Sequence, residues 1–121
     1  MLPATYQSER DDTKDYAFLS LNSNIGNTLG YLGWTTSVSV GNTMALTGYA
    51  GEHEYELWEG IGQIKSTSGS FLRYTADSSG GMSGGAIYLT IQMKAAGFNH
   101  GDIRENLIIT ALKLIHLSQM R

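Results

Sequence analysis

The sequence predicts an all-β domain of barrel or sandwich type that ends in one α-helix. Short β-like runs alternate with turn-rich segments along most of the chain. Fifteen glycines and one proline are spread through 121 residues, a composition typical of many short strands joined by turns. Helical periodicity is found near the C-terminus. This length favours one domain with a core of its own.

Composition excludes several classes of function. The net charge of −3 argues against a nucleic-acid-binding protein. The sequence has no apolar run of 18 residues, so we expect no membrane span. It has no cysteine, so disulfides play no part. The first residues, Met1–Lys14, are polar and charged, and they predict neither regular structure nor a signal peptide in this sequence.

The first predicted strand is Asp15–Leu21, in which Ala17, Leu19 and Leu21 share one face by alternation. Glu52, Glu54 and Glu56 alternate in a later loop. A solvated strand edge explains these acidic residues better than a cation site does, and we expect no metal or other cofactor. The other predicted strands are Thr43–Tyr49, a hairpin of Leu57–Lys65 and Ser70–Thr75, and then Ala86–Ile91, Lys94–His100 and Leu107–Ile109.

The predicted helix begins at Thr110, a residue suited to an N-cap. Four apolar residues follow the i, i+3, i+4, i+7 spacing of one helical face. They are Ile108, Ala111, Leu112 and Ile115.

The segment Thr75–Gly85, called here the serine loop, places Ser83 between two glycine pairs. Such a turn can expose a nucleophilic hydroxyl while the N–H groups of Gly81 and Ser83 converge on a developing oxyanion. A glycine-rich loop without chemistry is the competing interpretation. Gly-x-Ser-x-Gly also matches a nucleophile elbow, but that motif needs a helix after it, and Ala86–Ile91 is typical of a strand.

Several stretches, taken in order, resemble the trypsin/chymotrypsin-like serine proteases, in their glutamyl endopeptidase-like branch. Asp15–Leu21 looks like the Asp-x-Ala-x-Leu-x-Leu segment of that family, and Tyr74–Gly85 looks like its Tyr-x-x-Asp-x-x-Gly-Gly-x-Ser-Gly loop. The remaining matches are Thr47–Gly51, the Trp58/Gly62/Ile64 strand, Ala96–Phe98 and the terminal helix Thr110–Leu117.

The resemblance implies the aspartate strand plus the second of two six-stranded Greek-key barrels, divided here as residues 1–28 and 29–121. It implies that Ser83 is the nucleophile, that Asp15 orients a histidine, and that the N–H groups of Gly81 and Ser83 form the oxyanion hole. It also implies secretion and a peptide or protein substrate. The substrate-binding residues would be Ser78, Phe98, Asn99 and His100.

Three positions depart from the family pattern. Fourteen residues precede Asp15 and none is histidine, so we expect the first barrel and the catalytic histidine to be missing from this chain. Met82 stands where trypsin has an aspartate, as a non-acidic residue does in the glutamyl endopeptidase branch. Asn99 holds the position at which the glutamyl endopeptidase branch has a histidine that binds the substrate glutamate, and His100 is the next residue. A shift of one residue along a strand turns a side chain to the opposite face of the sheet.

Two functions remain open. The chain is either part of a serine endopeptidase that is inactive without its histidine, or a single-barrel pseudo-protease that binds peptides or itself. We interpret His53, in a loop near the predicted site, as an exposed residue rather than a substitute base. The apolar residues of Asp15–Leu21 predict a homodimer or a partner that carries the missing barrel.

Overall fold

The computed structural model describes residues 15–103 and 108–113. The chain divides into two compact units, Met1–Leu32 and Gly33–Arg121. Within the described part of the first unit there is one short helix, α1 (Gly26–Leu29), which ends at Gly30 with φ of 85°. None of the helices in the described ranges is long and apolar enough to cross a membrane.

The prediction of a strand at Asp15–Leu21 is wrong. These residues have no regular secondary structure, and no sheet pairing includes them. The rings of Tyr16 and Phe18 lie edge to face, with centroids 5.9 Å apart, while Leu19 and Leu21 are 87% and 70% exposed. Alternation of apolar residues does not make a strand by itself, because a strand needs a partner for its backbone groups.

Within the described residues the second unit contains seven strands, and six of them close into a barrel. The barrel order is β6-β5-β2-β3-β4-β7, and β7 pairs back with β6, while β1 pairs in parallel with the start of β6. The six-stranded all-β barrel is therefore confirmed. The strands are β1 (Gly33–Trp34), β2 (Thr43–Ala50), β3 (Glu56–Ser68), β4 (Phe71–Tyr74), β5 (Ala86–Leu89), β6 (Lys94–Ile103) and β7 (Ile108–Lys113), with a 3₁₀ turn at Gly51–His53.

The predicted helix is wrong where it can be compared. Ile108–Lys113 forms β7, which pairs with β4 through Tyr74↔Ile109 and with β6 through Asn99↔Ala111. The β-branched run at its start suits a strand, and pairing on both sides overrides the helical spacing of the apolar residues. The rest of the predicted helix, from residue 114 onward, lies outside the described residues.

The barrel interior is filled by alternate residues of its strands. Because side chains on a strand point to opposite faces in turn, every second residue enters the core. The largest fully buried side chains are Met44, Leu46, Ile64, Leu72, Tyr74 and Ile87. This core supports the serine loop, because Met82 belongs to the same apolar cluster.

A polar cluster joins three neighbouring strands through Glu59. The Tyr88 hydroxyl and the Thr47 hydroxyl both donate to Glu59 Oε2, the latter at 3.3 Å. The hydrogen bond to Glu59, followed by partial burial and the negative charge of the same carboxylate, raises the pKa of Tyr88 above its ordinary value of 10.0. The neutral phenol is therefore favoured in the folded protein.

This raised pKa predicts a loss of stability at alkaline pH. The contribution of Tyr88 is fully present below its unfolded pKa of about 10 and is lost as pH rises through the higher folded value. Urea unfolding between pH 8.5 and 11 should show a steeper fall for the wild type than for Tyr88→Phe. Glu59→Gln, which removes the charge, should also flatten the curve. Parallel curves for all three proteins would contradict the assignment.

Candidate active site

The serine loop crosses strand β3 at two glycines on one face. An added Cβ at Gly62 would lie 2.5 Å from the Ala76 backbone nitrogen, and one at Gly60 would lie 2.8 Å from the Asp77 carbonyl oxygen. The Thr75 N–H donates to the Gln63 carbonyl at 3.1 Å. Glycine is required at positions 60 and 62 because any side chain would push the loop off the sheet.

Met82 fixes the loop next to Ser83. It is buried, and a Cβ added to Gly48 would lie 3.2 Å from its Cα. Its N–H donates to the Ser79 carbonyl at 3.1 Å, and its own carbonyl accepts from Gly85 N–H at 3.0 Å. The residue before Ser83 is therefore held inside the barrel, while Ser83 itself is exposed.

Two backbone donors of the loop have no acceptor among the described residues. Gly51 N–H donates to the Gly80 carbonyl at 2.8 Å, and Gly84 N–H donates to the Asn99 carbonyl at 2.7 Å. Within residues 15–103 and 108–113, the N–H groups of Gly81 and Ser83 donate no hydrogen bond. Gly81 has φ of 97°, a left-handed conformation that glycine adopts without strain. Unengaged N–H groups in a tight turn can bind an anionic oxygen.

Ser83 and Ser78 line different clefts that share Met82. The cleft at Ser83 has a volume of about 260 Å³ and the cleft at Ser78 about 300 Å³. The Ser83 cleft is lined by Thr47, Gly48, Tyr49, Leu57 and Gly81–Gly85. The Ser78 cleft is lined by Ala50, Glu52, His53, Trp58–Gly60, Asp77–Ser79 and Met82. The predicted nucleophile and the predicted wall residue therefore line neighbouring clefts, which meet at Met82.

Asn99 lies directly beside the serine loop. Its N–H donates to the Gly85 carbonyl at 2.8 Å, and its buried Oδ1 accepts from the Tyr74 hydroxyl at 2.8 Å. Phe98 precedes it and pairs with Ala86 at the start of β5. None of the residues predicted on this strand lines either of the two clefts.

His100 lies at a bulge of β6. The register shifts between Asn99 and Gly101, so His100 is the extra residue. Its ring centroid is 6.1 Å from that of Phe71 on β4, with the rings edge to face. The bulge that would let His100 change face is present, but the structure places its ring against Phe71.

His53 does not line the cleft that contains Ser83. Its ring stacks on Trp58 with centroids 3.8 Å apart, its Nε2 is 3.7 Å from Glu52 Oε1, and it lines the Ser78 cleft. Asp15 belongs to the first unit and Ser83 to the second, so their pairing stays a prediction. Across the described part of the chain, no group of three or more His, Cys, Asp or Glu side chains could hold a metal ion.

The sequence is similar to two curated bacterial proteins. It is 38% identical over 77 residues to the glutamyl endopeptidase of Bacillus licheniformis, an alignment that covers 61% of this chain and 24% of the relative. It is 31% identical over 87 residues to the extracellular metalloprotease of Bacillus subtilis, covering 69% of this chain and 28% of the relative. The chain thus spans about a quarter of the length of these relatives. No protein-family model matches the sequence.

Solved structures share the fold. A Glu endopeptidase structure matches with a TM-score of 0.84 at 24% identity, covering 98% of this chain and 58% of that one. An inactive form of Rv3671c from M. tuberculosis matches with a TM-score of 0.60 at 15% identity, covering 73% and 50%.

The described barrel therefore has the fold of the trypsin-like serine proteases. The sequence is similar to glutamyl endopeptidase over about a quarter of that relative's length, and the resemblance carried by the motifs is confirmed.

Proposed function

We propose that this chain is the serine-bearing part of a secreted serine endopeptidase that hydrolyses peptide bonds. The observation that carries the proposal is the exposed Ser83 beside a cleft of about 260 Å³. The N–H groups of Gly81 and of Ser83 itself donate no hydrogen bond within the described part of the chain. Ser83 Oγ would attack the substrate carbonyl carbon, and the two N–H groups would stabilise the oxyanion that forms. The homology to glutamyl endopeptidase and to an extracellular protease supports the class and the secretion.

The general base of this reaction would come from outside the described residues. Neither described histidine lines the Ser83 cleft, since His53 stacks on Trp58 and His100 contacts Phe71. In the proposed enzyme a histidine takes the proton of the serine hydroxyl and Asp15 orients that histidine. A partner or a further segment that brings this histidine would complete the site.

The substrate side chain would be read by Ser78 together with the strand Phe98–His100. Asn99 is joined directly to the serine loop, because its backbone forms hydrogen bonds with both glycines that follow Ser83. Its Oδ1 is engaged by Tyr74, which leaves the amide NH₂ as the group that can donate to a substrate.

A fluorophosphonate probe tests the nucleophile. The isolated chain should label at Ser83 hardly faster than Ser83→Ala, because a serine without a base is a weak nucleophile. Added imidazole, the side chain of histidine in solution, should accelerate labelling in proportion to its concentration. Peptide mapping by mass spectrometry would locate the adduct.

Ser79→Ala is the matched control, because it removes another serine of the same loop and should label like the wild type. Fast labelling without imidazole would show that a group within the chain already acts as the base. Labelling that imidazole leaves unchanged, or that falls on other serines, would contradict the nucleophile.

A non-catalytic peptide-binding or self-associating module is the second candidate. Two observations favour this module. Neither described histidine lines the Ser83 cleft, and the apolar side chains of Tyr49 and Leu57 in its wall are 58% and 61% exposed. Peptides that shift the amide resonances of Gly81–Gly85, with no imidazole-dependent labelling of Ser83, would favour this module over the enzyme.

A further inference from the structure

The connection between β2 and β3 carries two consecutive non-glycine residues in the left-handed region. Glu54 has φ of 56° and Tyr55 has φ of 59°. A hydrogen bond from Tyr55 N–H to the Ala50 carbonyl, at 2.9 Å, closes the connection. Left-handed backbone is costly for residues with a Cβ, so it persists where the surroundings hold it.

This backbone path brings the Tyr55 ring against the serine loop. An added Cβ at Gly81 would lie 3.1 Å from Tyr55 Cε1, and one at Gly51 would lie 3.5 Å from Tyr55 Cζ and Oη. The same turn donates the Gly51 N–H to the Gly80 carbonyl at 2.8 Å. The hydrogen bond thus holds the carbonyl of the peptide group that joins Gly80 to Gly81, and the ring lies beside Gly81 at the other end of that group.

The direction of one carbonyl fixes the direction of the next N–H. In a trans peptide the C=O and N–H groups point opposite ways, so a Gly80 carbonyl turned toward Gly51 sends the Gly81 N–H away from it. Two successive glycines resist rotation of their peptide weakly, since neither has a Cβ. Gly80 itself has open space where a side chain would be, so its contacts do not prevent rotation.

We infer that Tyr55 is a positioning residue that holds the Gly80–Gly81 peptide in the orientation that leaves the Gly81 N–H free for an anionic oxygen. The role of the Gly81 N–H as an oxyanion donor rests on the proposed function. The effect of Tyr55 on the orientation of the peptide does not rest on it. The strained connection is thus a support for the serine loop, built from a strand connection some 25 residues earlier in the chain.

Tyr55→Gly and Glu54→Gly form a matched pair. Each removes the side chain of a residue whose backbone is in the left-handed region, but only Tyr55→Gly removes the aromatic ring. Amide hydrogen exchange should show at least a tenfold loss of protection at Gly51 in Tyr55→Gly and no loss in Glu54→Gly. Tyr55→Phe, which keeps the ring, should behave like the wild type. Unchanged exchange at Leu46 and Ile64 would show that the barrel remains folded.

The second readout is the imidazole-assisted labelling of Ser83. It should fall at least tenfold in Tyr55→Gly and stay at the wild-type rate in Glu54→Gly and Tyr55→Phe, because loss of an oxyanion donor costs about 100-fold or more in serine proteases. Unchanged Gly51 protection in Tyr55→Gly would overturn the inference, and so would lost protection with undiminished labelling. If the wild type does not label, the proposed function fails, while the exchange comparison still decides whether Tyr55 holds the peptide.

Discussion

Gly62→Ala should lower the free energy of unfolding by about 3 kcal/mol or more, because overpacking against backbone cannot be relieved by turning a side chain. The new Cβ would meet the Ala76 nitrogen at 2.5 Å and the Thr75 carbonyl carbon at 2.9 Å. Those atoms begin the serine loop, so the loop must move away from β3 or the hairpin must open. Urea unfolding followed by tryptophan fluorescence would measure the loss.

Gly80→Ala is the control within the same loop. Nothing lies within 4 Å of the position its Cβ would take, and its φ is not positive. Alanine there should change stability by less than about 0.5 kcal/mol, the range of surface substitutions. If both variants unfold at the same urea concentration as the wild type, the close approach of the loop to β3 is not present in solution.

The barrel strands could be predicted because their signals are local. Alternating apolar residues bounded by glycine-rich turns indicated five of the six barrel strands close to their observed bounds, from β2 to β6. Asp15–Leu21 carries the same alternation but belongs to no sheet. The helix predicted from Thr110 was wrong because tertiary pairing overrides a local pattern. Strand β7 lies between β4 and β6, and hydrogen bonding to both neighbours outweighs the helical spacing of its apolar residues.

The serine loop could be predicted from its glycine pairs, but the contacts that hold it could not. Gly60 and Gly62 are two residues apart and therefore share a face, which is a signal for a close backbone approach. The approach of the Tyr55 ring to Gly81 and the hydrogen bond of Tyr74 to Asn99 each bring together residues that are 25 or more positions apart in the sequence. A tyrosine at position 55 or 74 does not indicate in the sequence which residue it will meet, so these two interactions are seen only in the folded chain.

Met82→Ala should destabilise the protein by about 3 kcal/mol, within the usual range of about 2–5 kcal/mol for a buried methionine cut to alanine. Met82 is 3% exposed, it packs against Gly48, and its sulfur accepts from the Ser79 N–H at 3.4 Å. Truncation leaves a cavity beneath the loop and frees the peptide that precedes Ser83. Amides of Ser79–Gly85 should therefore exchange faster than the core strands, so that the loop loosens before the barrel unfolds.

Two further variants separate the causes. Met93→Ala removes a methionine side chain that is 55% exposed. Alanine carries a Cβ as methionine does, so the energetic cost of the backbone conformation at residue 93 does not change. This variant should therefore alter the free energy of unfolding by less than about 0.5 kcal/mol. Met82→Leu keeps most of the volume and should cost less than about 1.5 kcal/mol. If Met82→Leu nonetheless loosens the loop as much as Met82→Ala, the contact of the sulfur with Ser79 holds the loop rather than the filling of the core. If Met82→Ala is as harmless as Met93→Ala, Met82 does not anchor Ser83, and the exposed nucleophile has another support.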